Sequence, residues 1–436
     1  MSAAEPAPAG QPTLYEARLG RMPPRRVQGQ DIDCDVLVIG GGFAGLWAAH
    51  ALLARGHDVV VVESGRIGAG ASGRNAGFVG PGYAERPERI VRRVGLADAR
   101  ELWRLSAEGG EIVRRLLPQV PDAQAIGGRL TVRRTDHLEA TRRRAAWLQE
   151  AFDVRVDVLR TRQVRASLRS PLYFQGLYYP DAFHLDPLAL LHGLAAQVEA
   201  AGGRIFEGTE ARSADLAGLR KHVTTTGGRI RAEHVVLAGG VSVGAILPEV
   251  SRSIMPVTTF IGVTEPLGTQ LDEAIGFRGA VADTRRAGNY FRRIDDRLLW
   301  GAGFAIGTVS PGDMGERLAR DLGRVFPSLA GARMDYAWAG TMAYAVHRMP
   351  QIGPLLPGVW IAGAIGGHGL NTAAIAGELV AAGIGEGDDR WKLFAPFGVV
   401  PAGGAAGRVA ARMTMAVQGW RERMLEARSR ERAARM

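Results

Sequence analysis

Apolar residues along this chain come in short blocks separated by glycine-rich joints. The run from Asp33 to Ile39 ends in four consecutive apolar residues, Val36 to Ile39, as a strand buried on both faces requires. Three glycines follow, and then Phe43 to Arg55 carries apolar residues at helical spacing. His57 to Val62 is a second buried strand, and Gly65 to Gly82 is rich in glycine. Helical periodicity returns from Pro87 to Leu117, and Gly127-Gly128 precedes a strand over Arg129 to Arg133. Residues 137–170 read as helix-rich and very basic. Asp186-Pro187 has the form of an N-cap with proline in the first helical position, opening a helix to about Ala201.

Beyond Gly202-Gly203 the pattern shortens to strand length. Gly227-Gly228 joins two β-like runs, and His234 to Ala238 ends at Gly239-Gly240. Residues 254–265, 289–294 and 297–304 read as strands, the last two turning at Asp295-Asp296. Val359 to Ala362 is another buried strand. Gly363 to Gly369 is a second glycine-rich loop, and Asn371 to Ala382 is the helix behind it. No period typical of solenoid repeats is present. Residues 1–31 form a proline-rich leader that is expected to be irregular.

The first joint carries chemistry. In Gly40-x-Gly42-x-x-Gly45 the first glycine permits the tight turn, the second admits a pyrophosphate to the backbone, and the third lets helix pack on strand. The helix start offers free N–H groups and a partial positive charge. Glu63 closes the second strand where an acid can hold ribose hydroxyls, with Ser64 beside it. An acid there suits an unphosphorylated ribose, as in FAD or NAD. The alternative, an isolated glycine turn, does not account for strand, loop, helix, strand and acid in order. Gly68-Ala69-Gly70-Ala71-Ser72-Gly73-Arg74-Asn75-Ala76-Gly77 supplies more backbone and side-chain donors. Gly366-Gly367-His368-Gly369-Leu370-Asn371-Thr372 repeats the strand–loop–helix logic late in the chain. A helix start at that point can stabilise negative charge.

These three motifs together resemble the D-amino-acid-oxidase-like FAD oxidoreductases, most of all their gamma-glutamylputrescine oxidase-like branch. The resemblance runs over nearly the whole chain, including Tyr290-Phe291-Arg292-Arg293 and Pro401-Ala402-Gly403-Gly404. It implies an α/β (α+β overall) architecture, in which a discontinuous Rossmann-type FAD-binding domain is interrupted by a β-rich substrate domain. The boundaries expected are 32–125, 185–250 and 350–390 for the FAD domain, 126–184 and 251–349 for the substrate domain, and 391–436 for a C-terminal tail. It also implies that Gly40, Gly42, Phe43, Ala44, Gly45, Glu63 and Ser64 hold pyrophosphate and adenosine ribose. Ala71, Ser72, Arg74, Asn75 and Gly77 would line pyrophosphate and flavin. Ala211 would contact adenine through its backbone, and Ala238, Gly239 and Gly240 would pass close to the cofactor. Gly366, Gly367, Gly369, Leu370, Asn371 and Thr372 would cover the flavin.

Two departures bear on the chemistry. Cys34 is the only cysteine and no histidine lies between 58 and 136, so the FAD is expected to be noncovalent. Residues 254–345 contain no lysine, so the oxygen-activating lysine of certain relatives is missing there. The reaction expected is oxidation of a C–N bond in a small amine or amino acid, gamma-glutamylputrescine-like, with hydride passing to flavin and the imine hydrolysed. Electrons would go on to O2 or another acceptor. The residues expected nearest the substrate are His368, Tyr290, Arg292, Trp338 and Tyr344, with Trp300, His347 and His184 as weaker candidates. No paired histidine spacing suggests a metal. Gly301-Ala302-Gly303-Phe304-Ala305-Ile306-Gly307 is the alternative candidate, a second nucleotide site that would make the chain an NAD(P)H-fed reductase or hydroxylase. No helix opens after it in the required place, and no acid follows at the right distance.

Charge adds one further element. The 436 residues carry a formal +10, and Lys221 and Lys392 are the only lysines among 54 basic residues. Scattered arginine of this kind reads as solvated surface rather than a nucleic-acid interface. The absence of an apolar signal segment and the single cysteine suit a cytoplasmic protein. From Arg408 to Met436, eight arginines and three glutamates accompany Val409, Met413, Val417, Trp420 and Met424 on one helical face. That face suits packing on the body or a neighbouring subunit, with a membrane-surface helix as the alternative.

Overall fold

A computed structural model of the chain describes residues 12–20, 22–306 and 313–435, without the side chains of 244, 245 and 430–435. Two sheets dominate it. In the first, the parallel strands Val359–Gly363, Gly228–Leu237, Ile32–Ile39, Val59–Val62 and Arg204–Phe206 lie side by side in that order. Gln351–Leu356 adds an antiparallel edge, and the hairpin of Lys221–Thr225 with Gly228–Leu237 carries Ala211–Asp215 outside it. Val36, Leu37, Val38 and all four valines of Val59–Val62 are at most 1% exposed, so these central strands are covered on both faces. Parallel sheets need such cover, because their crossover helices lie on the faces. Here Phe43–Leu53, Pro187–Ala200 and Gly369–Gly385 supply it, with apolar residues all round. Asp186 accepts from the backbone N–H of Leu188 and Ala189, the cap expected at that helix start.

The second sheet has nine strands. Its main path runs Met334–Tyr344, Met255–Thr264, Arg297–Ile306, Tyr290–Ile294, Ala280–Asp283, Ile126–Val132, Gly176–His184 and Phe78–Val79. Asp157–Leu159 joins Gly176–His184, inside the stretch expected to be helical. Period-2 alternation gives this sheet two apolar faces. Phe291, Trp300 and Leu298 point away from the first sheet into a core with Tyr173, Leu322 and Phe326, where Phe291 and Trp300 stack at 5.1 Å. Tyr290, Leu299, Ile261 and Trp338 point the other way.

Four further places extend or correct the sequence reading. The leader is not irregular throughout, because Leu14–Leu19 is a helix. Thr13 and Glu16 form a reciprocal capping box, and Tyr15 is fully buried between the sheet and the loop at 74–77. Phe78–Val79 lies within the stretch assigned to the first domain but pairs with Phe183 and His184 in the second sheet. Gly301 to Ile306 continues a strand, and Gly307 to Gly312 lies outside the described residues. Finally, the helix Gly404–Arg435 turns its apolar stripe outward. Val409, Met413, Val417, Trp420 and Met424 are all exposed, with Trp420 at 57%. Its body contacts are polar: Arg412 to the Ile306 carbonyl, Glu422 accepting from Arg286 N–H, and Ser429 accepting from Asp136 N–H. Among the described residues no helix is long and apolar enough to cross a membrane.

Burial of Tyr15 makes the leader part of the folded body. Tyr15→Ala is expected to cost about 3–5 kcal/mol, as loss of a large core aromatic does, and to lower the thermal midpoint by several degrees. An unchanged midpoint would place residues 12–20 outside the cooperative unit.

Candidate functional site

The central strand Ile32–Ile39 ends at Gly40, whose φ of +116° suits glycine alone. A Cβ there would stand 2.7 Å from the backbone of Ala238 and Gly239, so the turn at 238–240 does pass against this loop. Ala238 N–H also donates to the Ile39 carbonyl at 2.9 Å. At Gly45 a Cβ would lie 1.9 Å from the Gly40 carbonyl oxygen. That is the close helix–strand contact expected of the third glycine. Phe43, Ala44 and Gly45 open the helix and are buried. Its N-terminus has no cap of its own, and Ser72 Oγ, arriving from the next loop, accepts from Phe43 N–H at 3.0 Å.

Glu63 is fixed from two sides. One carboxylate oxygen accepts from Gly41 N–H at 2.9 Å, and the other from Gly65 N–H at 2.8 Å. Ser64 Oγ is 3.3 Å from the second and is exposed. Thr209 N–H donates to the Glu63 carbonyl, which brings the start of Ala211–Asp215 alongside this strand end. A carboxylate held this way keeps lone pairs free for vicinal hydroxyls.

The loop at 71–77 opens with a 3-10 turn, Ala71–Gly73, and then makes a run of side-chain contacts. Asn75 spends its side chain within the loop, donating to the Ala71 and Ser72 carbonyls and accepting from Gly77 N–H at 2.8 Å. Three successive carbonyls then receive donors from three distant elements. Trp338 Nε1 donates to Arg74 O at 3.0 Å, Tyr15 Oη to Asn75 O at 2.9 Å, and Arg292 Nε to Ala76 O at 2.8 Å. Arg292 also reaches Tyr15 Oη at 3.2 Å and His184 Nδ1 at 3.4 Å. Arg292 and Trp338, expected against the substrate, thus have these donors engaged by the loop backbone. His184 is fully buried, and burial and the nearby Arg292 charge push its pKa down to about 3. Tyr15 was missed in the sequence, although the Thr13-x-x-Glu16 capping box just before it signals order.

The late loop forms the opposite wall. Ala364 and Gly366 both have positive φ, at +50° and +71°. Tyr344 lies across the loop: its ring is 3.2 Å from where a Gly366 Cβ would be, and its hydroxyl accepts from Gly367 N–H. Burial raises its pKa to about 12. Tyr290 is raised further by burial and bonds the Thr259 hydroxyl. Helix Gly369–Gly385 begins directly behind His368. Burial, reinforced by the charge of Arg129, lowers the His368 pKa to about 4, so the imidazole is neutral at ordinary pH. Leu370 packs into the core, while Asn371 donates to the Gly82 and Ser106 carbonyls. Trp300 and His347 fall elsewhere. Trp300 Nε1 bonds Asp321 on the far face of the sheet, and His347 contacts the Gly398 carbonyl.

Several buried polar atoms on these walls have no protein partner: Arg74 Nε, His368 Nδ1, Asn371 Oδ1 and Thr372 Oγ1. Unpaired buried donors and acceptors are costly, so their clustering on the loops at 68–77 and 366–372 fits a bound polar group. The glycine cradle at 40–45 and the bracketed Glu63 fit the diphosphate and ribose of the same group. Among the described residues no set of three histidines, cysteines or acids is placed to hold a metal ion.

Comparison with known proteins agrees with this geometry. The DAO family, described as FAD dependent oxidoreductase, matches residues 35–382. Gamma-glutamylputrescine oxidoreductase of Escherichia coli (strain K12) is 32% identical over 391 residues, covering 88% of this chain and 91% of that protein. Among solved structures, glycine oxidase from Bacillus cereus ATCC 14579 superposes with a TM-score of 0.69 at 22% identity, over 83% of this chain and 97% of that one. L-proline dehydrogenase from P. horikoshii gives 0.67 at 20% identity, over 85% and 96%. With cradle, loops and sequence in agreement, the chain belongs to the DAO family of FAD-dependent oxidoreductases.

Proposed function

We propose that this enzyme oxidises the C–N bond of a small amine or amino acid, of the gamma-glutamylputrescine type, with FAD held noncovalently. The observation that carries the reading is the set of unpartnered buried polar atoms on two glycine-rich loops, Arg74 Nε on 68–77 and His368 Nδ1, Asn371 Oδ1 and Thr372 Oγ1 on 366–372, with strand Met334–Tyr344 touching the first loop through Trp338 and the second through Tyr344. In this assignment 32–125, 185–250 and 350–390 hold FAD, apart from Phe78–Val79. Residues 126–184 and 251–349 cover the substrate. Cys34 supports noncovalent binding: it is buried near the start of the central strand, away from the glycine turn, and burial pushes its pKa up to about 12.

FAD, when bound, accepts a hydride from the carbon that bears the amine. The protein's part is to position, exclude water and set protonation states. Glu63 and the 40–45 turn orient the adenosine half, and Arg74 and the start of helix Gly369–Gly385 face the other half. The Trp338, Tyr15 and Arg292 donors fix the loop between them. Neutral His368 can accept a hydrogen bond from the substrate amine without repelling it, as an imidazolium would. Because neither His368 nor His184 titrates between pH 6 and 9, the substrate's own ammonium is the group whose proton must leave.

Two outcomes test this reading. Purified holoenzyme should be yellow, and anaerobic addition of a primary or secondary amine should bleach the flavin while NADPH and NADH do not. Bleaching by NAD(P)H alone would sink it. Readmitting air then assigns the acceptor: fast reoxidation with peroxide marks an oxidase, and slow reoxidation a dehydrogenase. The efficiency of anaerobic reduction should also rise with pH along a limb that follows the pKa of each amine, unchanged in His368→Gln. A limb that stays fixed across amines and vanishes in His368→Gln would make His368 the base.

A second contact surface is favoured by the outward stripe of Gly404–Arg435. Trp420 and its apolar neighbours are flanked by Arg421, Arg423 and Arg428, which have no ion pair among the described residues. Like-charged flanks oppose self-pairing of this helix and suit an anionic lipid surface. Trp420→Glu should lower co-sedimentation with phosphatidylserine vesicles severalfold and leave flavin reduction intact. Equal binding to phosphatidylcholine vesicles, or none to either, would remove the surface from the account.

A further inference from the structure

The second sheet carries a cavity on the face turned away from the cofactor loops. Helix Met314–Val325 packs on that face, burying Met314, Leu318, Leu322 and Val325 in the core with Phe291 and Trp300. Arg317, Arg320 and Arg324 recur at i, i+3 and i+7, so they stand on one flank of the helix, over a rise of about 10 Å. All three line a cavity of about 460 Å³, whose other wall is strand Arg297–Ile306. Among the described residues they make no ion pair, and their one hydrogen bond is long, from Arg320 Nε to the Glu316 carbonyl at 3.4 Å. Asp321 is the one acid among the described lining residues. It turns a carboxylate oxygen inward, where it accepts from Trp300 Nε1 at 3.2 Å and from Asn289 Nδ2. Arg285, also on the wall, is paired with Asp283 at 3.1 Å.

The strand wall explains why there is room. Ala302, Gly303 and Ala305 are small, and Gly303 is the extra residue of a β-bulge, since Ala302 pairs with Phe260 and Phe304 with Thr259. Its φ is +67°, and a Cβ there would meet nothing within 4 Å. A bulge bends its strand and re-aims the side chains beside it. Phe260 and Phe304, both half-buried, line the cavity. The stretch that begins at Gly301 lacks the helix of a dinucleotide turn, yet it forms the aromatic wall of a cavity with a cationic rim. Size and charge say which ligand that suits. Small-molecule sites take about 300–1,000 Å³, and this cavity is far larger than a lone phosphate needs. Three guanidinium groups spread along about 10 Å match a chain of phosphates, whose oxygens accept the parallel donors of arginine. A single carboxylate would engage one of them and leave two. The half-buried phenylalanines offer a planar base its stacking partner.

We infer that this cavity binds a nucleoside di- or triphosphate as a second ligand beside FAD, with its phosphates on Arg317, Arg320 and Arg324 and its base against Phe260 and Phe304. The inference stands apart from the amine-oxidation reading, because binding here needs no turnover. The sheet lies between this face and the cofactor loops, so the nucleotide is not a source of hydride for the flavin.

The test uses FAD-saturated holoenzyme at about 0.15 M salt, where long-range attraction to a basic surface is screened. Binding of ATP, ADP, adenosine and inorganic tripolyphosphate is followed by calorimetry. ATP and ADP should bind about tenfold or more tighter than adenosine or tripolyphosphate, without releasing FAD. Arg317→Ala combined with Arg324→Ala should weaken ATP binding about tenfold or more, and Phe304→Ala should weaken it severalfold. FAD content and anaerobic flavin reduction should stay as in wild type in both. Arg142→Ala combined with Arg155→Ala removes the same charge from exposed side chains elsewhere, and should leave ATP binding within about twofold. Tripolyphosphate binding as tightly as ATP would reduce the site to a charged surface and overturn the inference. Equal weakening by the two double variants, release of FAD by ATP, or no ATP binding at about 1 mM would overturn it as well.

Discussion

Three consecutive backbone carbonyls, at 74, 75 and 76, tie the molecule together. Each accepts one hydrogen bond from a side chain that arrives from a different element: Trp338 from the edge of the second sheet, Tyr15 from the leader helix, and Arg292 from the sheet's interior. A loop this rich in glycine has little conformational preference of its own. The three donors, with Asn75 folding the loop on itself, replace that missing preference. They also couple the two sheets, because a shift of the second sheet must move the loop or break the bonds. On the proposed assignment, FAD binding and substrate cover would be parts of one arrangement, and a hydride transfer that depends on fractions of an ångström would have a physical reason to be built this way.

Sequence-local features were the legible ones. The turn at 40–45, the acid at 63 and the two later glycine loops sit where strand, turn and helix periodicities place them, and the structure puts each at a strand end. The Asp186 cap and the hairpin at 295–296 are local in the same sense. What the sequence could not show was long-range pairing. Trp338 and Arg74 are 264 residues apart, Arg292 and Ala76 are 216, and Tyr15 and Asn75 are 60. Residue type alone could not show that Arg292 Nε and Trp338 Nε1 bond a loop backbone, since a polar or aromatic residue on the right sheet has the same signature whatever its donor meets. The leader misled for a related reason: its proline and alanine content hid a one-and-a-half-turn helix whose capping box was in plain view. The C-terminal helix shows the limit of periodicity, which finds an apolar face without saying which way it points.

Charge is used with economy inside this arginine-rich molecule. Most guanidinium groups lie at the surface or in exposed ion pairs, which contribute little to stability. Several buried ones are answered by carboxylates or carbonyls, as Arg134 is by Asp283 and Arg292 by the Ala76 carbonyl. The histidines and tyrosines around the two cofactor-facing loops, His184, His368, Tyr290 and Tyr344, are held in uncharged forms by burial. Such surroundings lower the cost of bringing in a neutral amine.

The central claim is that the loop at 74–76 holds FAD because distant donors hold the loop. The rate of FAD release from Trp338→Phe tests it most directly, because this change removes the donor to Arg74 O while leaving most of the ring volume. The account predicts release about fivefold to tenfold faster than wild type, the effect of one net hydrogen bond of about 1 kcal/mol, with the fold intact by circular dichroism. Release at the wild-type rate would contradict it.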